Sequence, residues 1–346
     1  MLNKHIVSAP HVLFLGAGAS KPLGKMLMGE FIEHLKELPE INQFGLFHDI
    51  IRQRGADLEV LLQELSDIVN LQYLEYGLSH HSTLTGPPLP PHLGIPAYRE
   101  RSFPEIANTA SALVDGIEAE VFNHYRRFER EGDIVPTLLP VLEKLAPKQD
   151  GPLVVFTTNY DPAIERCCQL SDRFQCVDGF VPVSGTREHM WSPTRFGQFS
   201  PSSGKPSLIL FKLHGSTTWM RMGGRIIDAP PILARDDTSH SNVLIYPATR
   251  KVAIHDPYFT AYCYLQECLS HAKYCLVVGY SFRDYDAQTR IKAAAIQNPA
   301  LRVEVLDPAA DSIAKKLARF DIKATPIADF FGPNFDFTKL AIPDVG

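Results

Sequence analysis

The sequence lacks several features that would place it in a specialised class of protein. It has no run of about 18 apolar residues, so we expect no membrane-spanning helix. Its net charge is −5 at pH 7, so it lacks the broad basic field with which proteins grip a nucleic-acid duplex, and we expect no direct binding of nucleic acid. Its 346 residues can build a core without disulfides, and its six cysteines follow no regular framework. These absences indicate a globular, cytoplasmic protein with reduced cysteines.

Cys268, His271 and Cys275 have a spacing that would place three metal ligands along one helical face. Their neighbours are apolar, however, and Cys275 opens a predicted strand. We therefore interpret the two cysteines as buried thiols and expect no zinc.

Short apolar runs that alternate with helical patterns predict the fold class. Such runs are predicted strands at residues 11–15, 153–157, 208–213, 275–279 and 301–306, with a further candidate at 243–247. Apolar strands of this kind are typical of a parallel sheet that is covered by helices on both faces. The sequence therefore predicts an α/β fold with a doubly wound, Rossmann-like parallel sheet.

The first predicted strand is separated from the others by a long and mostly helical stretch. We therefore predict one α/β domain formed by residues 1–40 and 149–346, interrupted by a helical insertion at residues 41–148. Residues 86–96 (GPPLPPHLGIP) are too rich in proline for a regular element. We interpret them as an exposed loop, and its role as a linker, a pocket cover or a docking segment stays open.

The first strand runs directly into the glycine loop, Gly16-Ala17-Gly18-Ala19-Ser20. Such a loop is a phosphate-binding arrangement, because glycines let a pyrophosphate approach the backbone and N–H groups at a helix start favour an anion. The loop is not a dehydrogenase fingerprint, which would need glycine where Lys21 stands. It is not a P-loop either, because Gly24-Lys25 is followed by Met26. Alone, it indicates either nucleotide binding or a tight turn.

Three further polar motifs follow predicted strands: Thr157–Asp161 (TTNYD), Lys212–Ser216 (KLHGS) and Gly279–Ser281 (GYS). Ligands of doubly wound folds lie just past the carboxyl ends of the strands. Each motif alone has an ordinary explanation: Asn159 or Asp161 would cap the next helix, and His214 would be a hydrogen-bonded turn histidine. Four such motifs in one chain favour a common site.

The ordered motifs GAG-x-S, T-x-N-x-D, L-HGS and G-x-S resemble those of the sirtuin fold family. Together with residues 56–62 (ADLEVLL) and 279–284 (GYSFRD), they resemble more closely the sirtuin-like NAD⁺ hydrolases of bacterial antiphage defence. The resemblance extends from residue 11 to about residue 308. Two departures separate the chain from protein-deacylating sirtuins. The paired CxxC spacing of their four zinc cysteines is absent, and the glycine loop continues as residues 21–24 (KPLG) instead of Asp-Phe-Arg.

The resemblance implies a role for each residue at these strand ends. Asn159 and His214 would be catalytic. The expected nucleotide-binding residues are Gly16, Ala17, Gly18 and Ser20 at the phosphates, Asp161 at the nicotinamide, Gly279 and Ser281 at the adenosine half, and Leu306 and Asp307 beside the adenine.

The implied activity is that of an NAD⁺ glycohydrolase, which releases nicotinamide and ADP-ribose. Nicotinamide leaves as a neutral group and leaves positive charge on the ribose, so the reaction needs positioning and a nucleophile more than acid help. In this hypothesis Asp161 holds the carboxamide and Asn159 orients the ribose and a water. His214 accepts a proton, for which an ordinary histidine pKa of about 6.5 is suitable.

An unregulated NAD⁺ hydrolase would kill its own cell, and no second sensing module is evident in the sequence. We therefore expect control by assembly, either as a homo-oligomer or with a partner chain. By resemblance, that partner would be a HerA-type hexameric ATPase or an Argonaute-like protein. Two alternatives stay open: an NAD-dependent protein deacylase, and a non-catalytic scaffold that binds NAD⁺ or ADP-ribose.

Overall fold

The structure is a computed structural model that describes residues 2–79, 103–147, 151–186, 188–201, 204–228, 241–242 and 255–343. The predicted strand at 243–247 and the proline-rich residues 86–96 lie outside these ranges. The chain divides into two compact units. Unit 1 comprises residues 1–25, 125–245 and 251–346, and unit 2 comprises residues 26–124 and 246–250. The folding domains predicted with boundaries at 41 and 148 stay a prediction.

A seven-stranded sheet forms the centre of unit 1, in the order β12-β11-β10-β1-β2-β6-β3. All neighbouring strands in it are parallel. Its strands are β1 (His11–Leu15), β2 (Leu153–Thr157), β3 (Gln175–Val177), β6 (Ser207–Lys212), β10 (Tyr274–Val278), β11 (Arg302–Leu306) and β12 (Ala324–Ile327). The predicted parallel sheet is therefore confirmed, with β3 and β12 as strands that the sequence patterns did not indicate.

Alternating residues of the central strands enter two cores because a parallel sheet that is covered on both sides has no solvent-facing side. Val12 and Phe14 of β1 pack on the side of α1, α11, α12 and α13. Leu13 and Leu15 pack on the other side, with α8 and α9. These helices are α1 (Lys4–Val7), α8 (Ile134–Leu145), α9 (Ala163–Ser171), α11 (Tyr258–His271), α12 (Tyr285–Gln297) and α13 (Ala310–Ala318).

Unit 1 also contains a second, antiparallel sheet in the order β4-β5-β8-β7-β9. Its strands are β4 (Phe180–Pro182), β5 (His189–Trp191), β7 (Trp219–Met222), β8 (Arg225–Asp228) and β9 (Ser241–Asn242). Two short helices complete the unit, α2 (Ala17–Ser20) and α10 (Thr194–Gly197). Cys268 and Cys275 are buried, as interpreted from the sequence, and burial raises the pKa of the Cys275 thiol to about 12.

Unit 2 is helical. Its helices are α3 (Met28–Glu37), α4 (Pro39–Asn42), α5 (Gly45–Arg54), α6 (Leu58–Ser79) and most of α7 (Phe103–Arg126). Phe31 and Leu35 of α3 are buried one turn apart, the spacing of an amphipathic helix. His34 on the same helix pairs with Glu120 of α7 at 2.8 Å. Within the described ranges, no helix is both long enough and apolar enough to cross a membrane.

Candidate active site

The strand order places four of the predicted motifs side by side. β1 lies between β10 and β2, and β6 lies beyond β2. Because the strands are parallel, their carboxyl ends lie at one edge of the sheet. Gly279, Gly16, Asn159 and His214 follow β10, β1, β2 and β6 respectively, so they occur in that order along this edge.

Three glycines bring the ends of β1 and β10 into backbone contact. The Gly16 N–H donates to the Val278 carbonyl at 2.9 Å, and the Gly18 N–H donates to the Gly279 carbonyl at 2.9 Å. A Cβ on Gly16 would lie 2.5 Å from the Gly279 oxygen, and one on Gly18 would lie 2.7 Å from the Gly279 Cα. Gly279 has a left-handed φ of 60°, and a Cβ there would lie 2.5 Å from the Gly18 Cα. Only glycine fits all three positions.

This packing changes what the glycine loop can offer to a phosphate. The amides of Gly16 and Gly18 already donate to β10, and the Ala19 amide donates to the Gly16 carbonyl. The last four residues of the loop form the helix α2, which is a single turn and lacks the macrodipole of a longer helix. In the structure, the amides of Gly16 and Gly18 join the ends of β1 and β10. Binding of a phosphate by this loop stays a prediction.

Replacing Gly279 by alanine is expected to lower the free energy of unfolding by roughly 2–5 kcal/mol, because left-handed strain and overlap with Gly18 act together. Gly185 is a matched control, because its φ is 79° but a Cβ there would meet nothing within 4 Å. Gly185→Ala should therefore lose only the strain, about 1–2 kcal/mol. Denaturant unfolding of both variants measures the difference, and equal losses would contradict the proposed overlap.

Asn159 ties the TTNYD motif to the glycine loop. Its Nδ2 donates to the Gly16 carbonyl at 2.9 Å and to the Ser20 hydroxyl at 2.8 Å. Its backbone N–H donates to Thr157 Oγ1 at 3.0 Å. No group in the described ranges donates a hydrogen bond to its Oδ1, and the residue is half-buried. Asn159 therefore does not cap α9, and its side-chain oxygen can accept a hydrogen bond from a ligand or water.

Asp161, and not Asn159, bonds to the start of α9, although the N-cap position itself is Pro162. Its Oδ1 accepts from the Ala163 N–H at 3.1 Å. Its Oδ2 is buried and has no hydrogen-bond partner in the part of the chain that the structure describes. Lys25, also buried, is close enough to interact electrostatically: burial lowers the pKa of Lys25, and the carboxylates of Asp161 and Glu129 oppose that shift. The sequence patterns gave no sign of Lys25.

His214 is buried at the end of β6 and pairs with Asp284. The distance from His214 Nε2 to Asp284 Oδ2 is 2.5 Å. The same oxygen accepts from the Tyr262 hydroxyl at 3.1 Å. The other carboxylate oxygen, Oδ1, accepts from the backbone N–H groups of Asp286 and Ala287 at the start of α12. The Asp284 carboxylate thus receives four donors, a set that a carboxylate can accept in full.

The pair determines which nitrogen of His214 is basic. An ionised Asp284 accepts from a protonated Nε2, which leaves the lone pair of the neutral imidazole on Nδ1. Burial raises the pKa of Tyr262, as does the Asp284 carboxylate, so the hydroxyl stays protonated and donates. Sequence reasoning missed both Tyr262 and Asp284, although Asp284 lies in the GYSFRD segment just before a predicted helix.

The TTNYD and KLHGS loops are joined by hydrogen bonds to one carbonyl. The Thr217 N–H donates to the Tyr160 oxygen at 2.9 Å, and the Ser216 hydroxyl donates to it at 3.4 Å. The rings of Tyr160 and His214 lie 6.3 Å apart between centroids. The loops that carry Asn159 and His214 are therefore neighbours.

The remaining predicted residues lie at the ends of β1, β10 and β11. The Gly279 N–H donates to the Leu306 carbonyl at 3.0 Å, so the residues predicted at the adenosine half are adjacent. Asp307 directly follows β11, and its Oδ1 accepts from the Ala309 N–H at 2.7 Å. Ser281 is exposed, and Ala17 is half-buried.

A group of half-buried acids lies around Lys212, at the end of β6. Lys212 Nζ donates to the Asp161 carbonyl at 2.6 Å and to Glu165 at 3.2 Å. Burial raises the pKa values of Glu165 and Asp178. Burial also raises the pKa of Asp228 to about 7, and the carboxylates of Asp178 and Glu165 add to that shift while Thr218 and Lys212 oppose it. This group is not part of the predicted site.

The raised pKa of Asp228 has a consequence for stability. A carboxyl group whose pKa rises on folding stabilises the protein at low pH, and that contribution is lost between its ordinary pKa of 3.8 and about 7. Asp228→Asn should therefore lose less stability than the unmodified protein as the pH rises through this window. Urea unfolding at a series of pH values tests this, with Asp311→Asn, an exposed carboxylate, as the control. Identical pH profiles for the two variants would contradict it.

Residues 153–320 match the family model described as a SIR2-like domain. No curated protein matches the chain. Among solved structures, it is similar to a mutant Sir2 homologue in complex with ADP-ribose, at 11% identity and a TM-score of 0.40, covering 95% of this chain and 90% of that one. It is also similar to a mutant of Sir2 homologues in complex with 2′-O-acetyl ADP-ribose, at 14% identity and a TM-score of 0.40, covering 94% and 89%. Residues 153–320 therefore resemble a SIR2-like domain.

Proposed function

We propose that this chain is an NAD⁺ glycohydrolase that cleaves the nicotinamide–ribose bond and releases nicotinamide and ADP-ribose. The observation that carries this proposal is the buried His214–Asp284 pair, at 2.5 Å, beside the loop that holds Asn159. Both groups lie within the residues that resemble a SIR2-like domain, which supports NAD⁺ as the ligand.

In the proposed reaction, water attacks C1′ of the nicotinamide ribose. The C1′–N bond breaks, and its electron pair leaves with nicotinamide, which departs as a neutral molecule. A new C1′–O bond forms, and the water gives up one proton. His214 is suited to accept that proton on Nδ1, because Asp284 holds Nε2 protonated and stabilises the imidazolium that results.

The two neighbouring polar groups support the positioning of the substrate. Asn159 is fixed through its Nδ2 to Gly16 and Ser20, which leaves Oδ1 to accept from a ribose hydroxyl or the attacking water. Asp161 Oδ2, buried without a partner among the described residues, suits the amide N–H of the nicotinamide carboxamide. Such groups contribute by holding the reactants in a reactive geometry.

The biological setting that we propose follows from the sequence resemblance. NAD⁺ depletion would make the protein an effector of bacterial antiphage defence. Assembly, as a homo-oligomer or with a HerA-type hexameric ATPase, would control it.

Product analysis tests the function. The purified protein is incubated with NAD⁺ alone, with an acylated peptide, and with a HerA-type ATPase, and the products are separated by chromatography. We expect equal amounts of nicotinamide and ADP-ribose without any peptide. O-acyl-ADP-ribose formed only with the peptide would instead identify a deacylase. Binding of NAD⁺ by calorimetry without nicotinamide release in any mixture would identify a scaffold.

A further inference from the structure

The segment from Gly279 to Asp284 is a strained turn. Gly279 adopts a left-handed φ of 60°, which glycine tolerates. Phe282 also adopts a left-handed φ, 54°, which is disfavoured for a bulky side chain. Strained backbone of this kind persists only where the surrounding structure holds it in place. The contacts that hold Phe282 are therefore informative.

Two kinds of contact hold this turn. The Phe282 ring is buried against Tyr280, with 4.8 Å between ring centroids, and Tyr280 packs on Phe14 at 4.6 Å. The backbone is held by Lys316 of α13, whose Nζ donates to the Ser281 carbonyl at 3.2 Å and to the Phe282 carbonyl at 2.5 Å. Two successive carbonyls that converge on one ammonium fix the orientation of both peptide planes.

This turn contains one residue predicted to bind the adenosine half of NAD⁺ and one that contacts the proposed catalytic base. Ser281 is predicted at the adenosine half of NAD⁺, and Asp284, three residues later, contacts His214. The peptide planes that Lys316 orients join residues 281–282 and 282–283, so they end one residue before Asp284 and influence the direction in which the chain enters α12. Burial lowers the pKa of Lys316, and Arg283 adds to this effect, so the lysine is not simply a solvated surface charge.

We propose that Lys316 is a positioning residue for NAD⁺ cleavage: by binding the carbonyls of Ser281 and Phe282, it holds the turn that directs Asp284 onto His214. This inference rests on the proposed function. Lys316 lies on α13, a helix that contributes no group to the proposed reaction. By this inference it nevertheless controls the geometry of the His214–Asp284 pair.

The test compares Lys316→Met with Lys315→Met, which removes the neighbouring, exposed lysine of the same helix. We expect Lys316→Met to lower kcat for nicotinamide release by roughly ten- to hundredfold, because a small displacement of catalytic groups has effects of that size. Lys315→Met should leave kcat unchanged. Lys316→Arg should restore part of the loss, because its guanidinium also donates to two acceptors.

A spectroscopic measurement keeps this inference independent of activity. The proton signal of the His214 imidazole N–H, identified by its loss in His214→Ala, reports the hydrogen bond to Asp284 by NMR. We expect it to shift or broaden in Lys316→Met and to stay in place in Lys315→Met. If Lys316→Met does not fold, Lys316→Gln, which retains one donor group, takes its place. An unchanged signal and an unchanged kcat in a folded variant would overturn the inference, whereas no nicotinamide release by the unmodified protein in any of the mixtures described above would overturn the proposed function.

Discussion

Replacing His214 by alanine is expected to slow nicotinamide release from NAD⁺ by roughly a hundredfold to ten-thousandfold, the usual contribution of a general base. The variant loses the group that accepts the proton of water. It should still fold, because Asp284 keeps its bonds from Tyr262 and from the two backbone amides of α12. Thermal unfolding therefore accompanies the rate measurement, to separate lost chemistry from lost structure.

His271→Ala is the matched control for this experiment. His271 is exposed on α11, and its Nδ1 contacts only the carbonyl of Glu267 in its own helix among the contacts of the described residues. Its loss should leave the rate unchanged. If both variants released nicotinamide at the full rate, the proposed role of His214 as the base would be wrong.

Asp284→Asn is expected to lower kcat by on the order of a thousandfold with little change in the volume of the side chain. His214, Tyr262 and the two backbone amides of α12 all donate to the Asp284 carboxylate, whereas an asparagine would present an NH₂ group on one side. If the NH₂ faces His214 Nε2, the imidazole must move its proton to Nδ1. The nitrogen proposed as the base then carries a proton and cannot accept another.

Asp286→Asn removes the same charge two residues later, in the first turn of α12, and serves as the control. It should change kcat far less than Asp284→Asn, because Asp286 donates to Asp284 through its backbone N–H, which asparagine retains. Similar losses in the two variants would indicate a general electrostatic effect at the start of α12. Such a result would contradict a specific role for Asp284 in holding the tautomer of His214.

The strands that the sequence predicted well are the fully buried ones. β1, β2 and β10 are buried at every position and almost entirely apolar, and both of their faces are covered. β12 (Ala324–Ile327) was missed because it is an edge strand of mixed burial that contains a proline. β3 (Gln175–Val177) was missed because three residues are too few to show a period. The strands of the antiparallel sheet are also short, with two to four residues each.

Some residues of the candidate site were predictable from the sequence and others were not. Asn159, His214 and Gly279 stand at strand ends, where a linear pattern of apolar run and polar motif is visible. Lys25, Tyr262 and Lys316 belong to no such motif, and each is noticed only through its contact with another part of the chain. Asp284 was visible only as one letter of a longer segment.

Local sequence was enough to place the four polar motifs at the ends of strands, because apolar strands and the residues that end them are recognised over a few positions. It was not enough to say which motifs touch. Asn159 meets Gly16 across 143 positions, and His214 meets Asp284 across 70. Those contacts exist because β1 lies between β10 and β2 in the sheet, and that order results from the packing of the whole chain. The strand order thus brings the glycine loop against the end of β10, and it brings His214 against Asp284 in a buried pair.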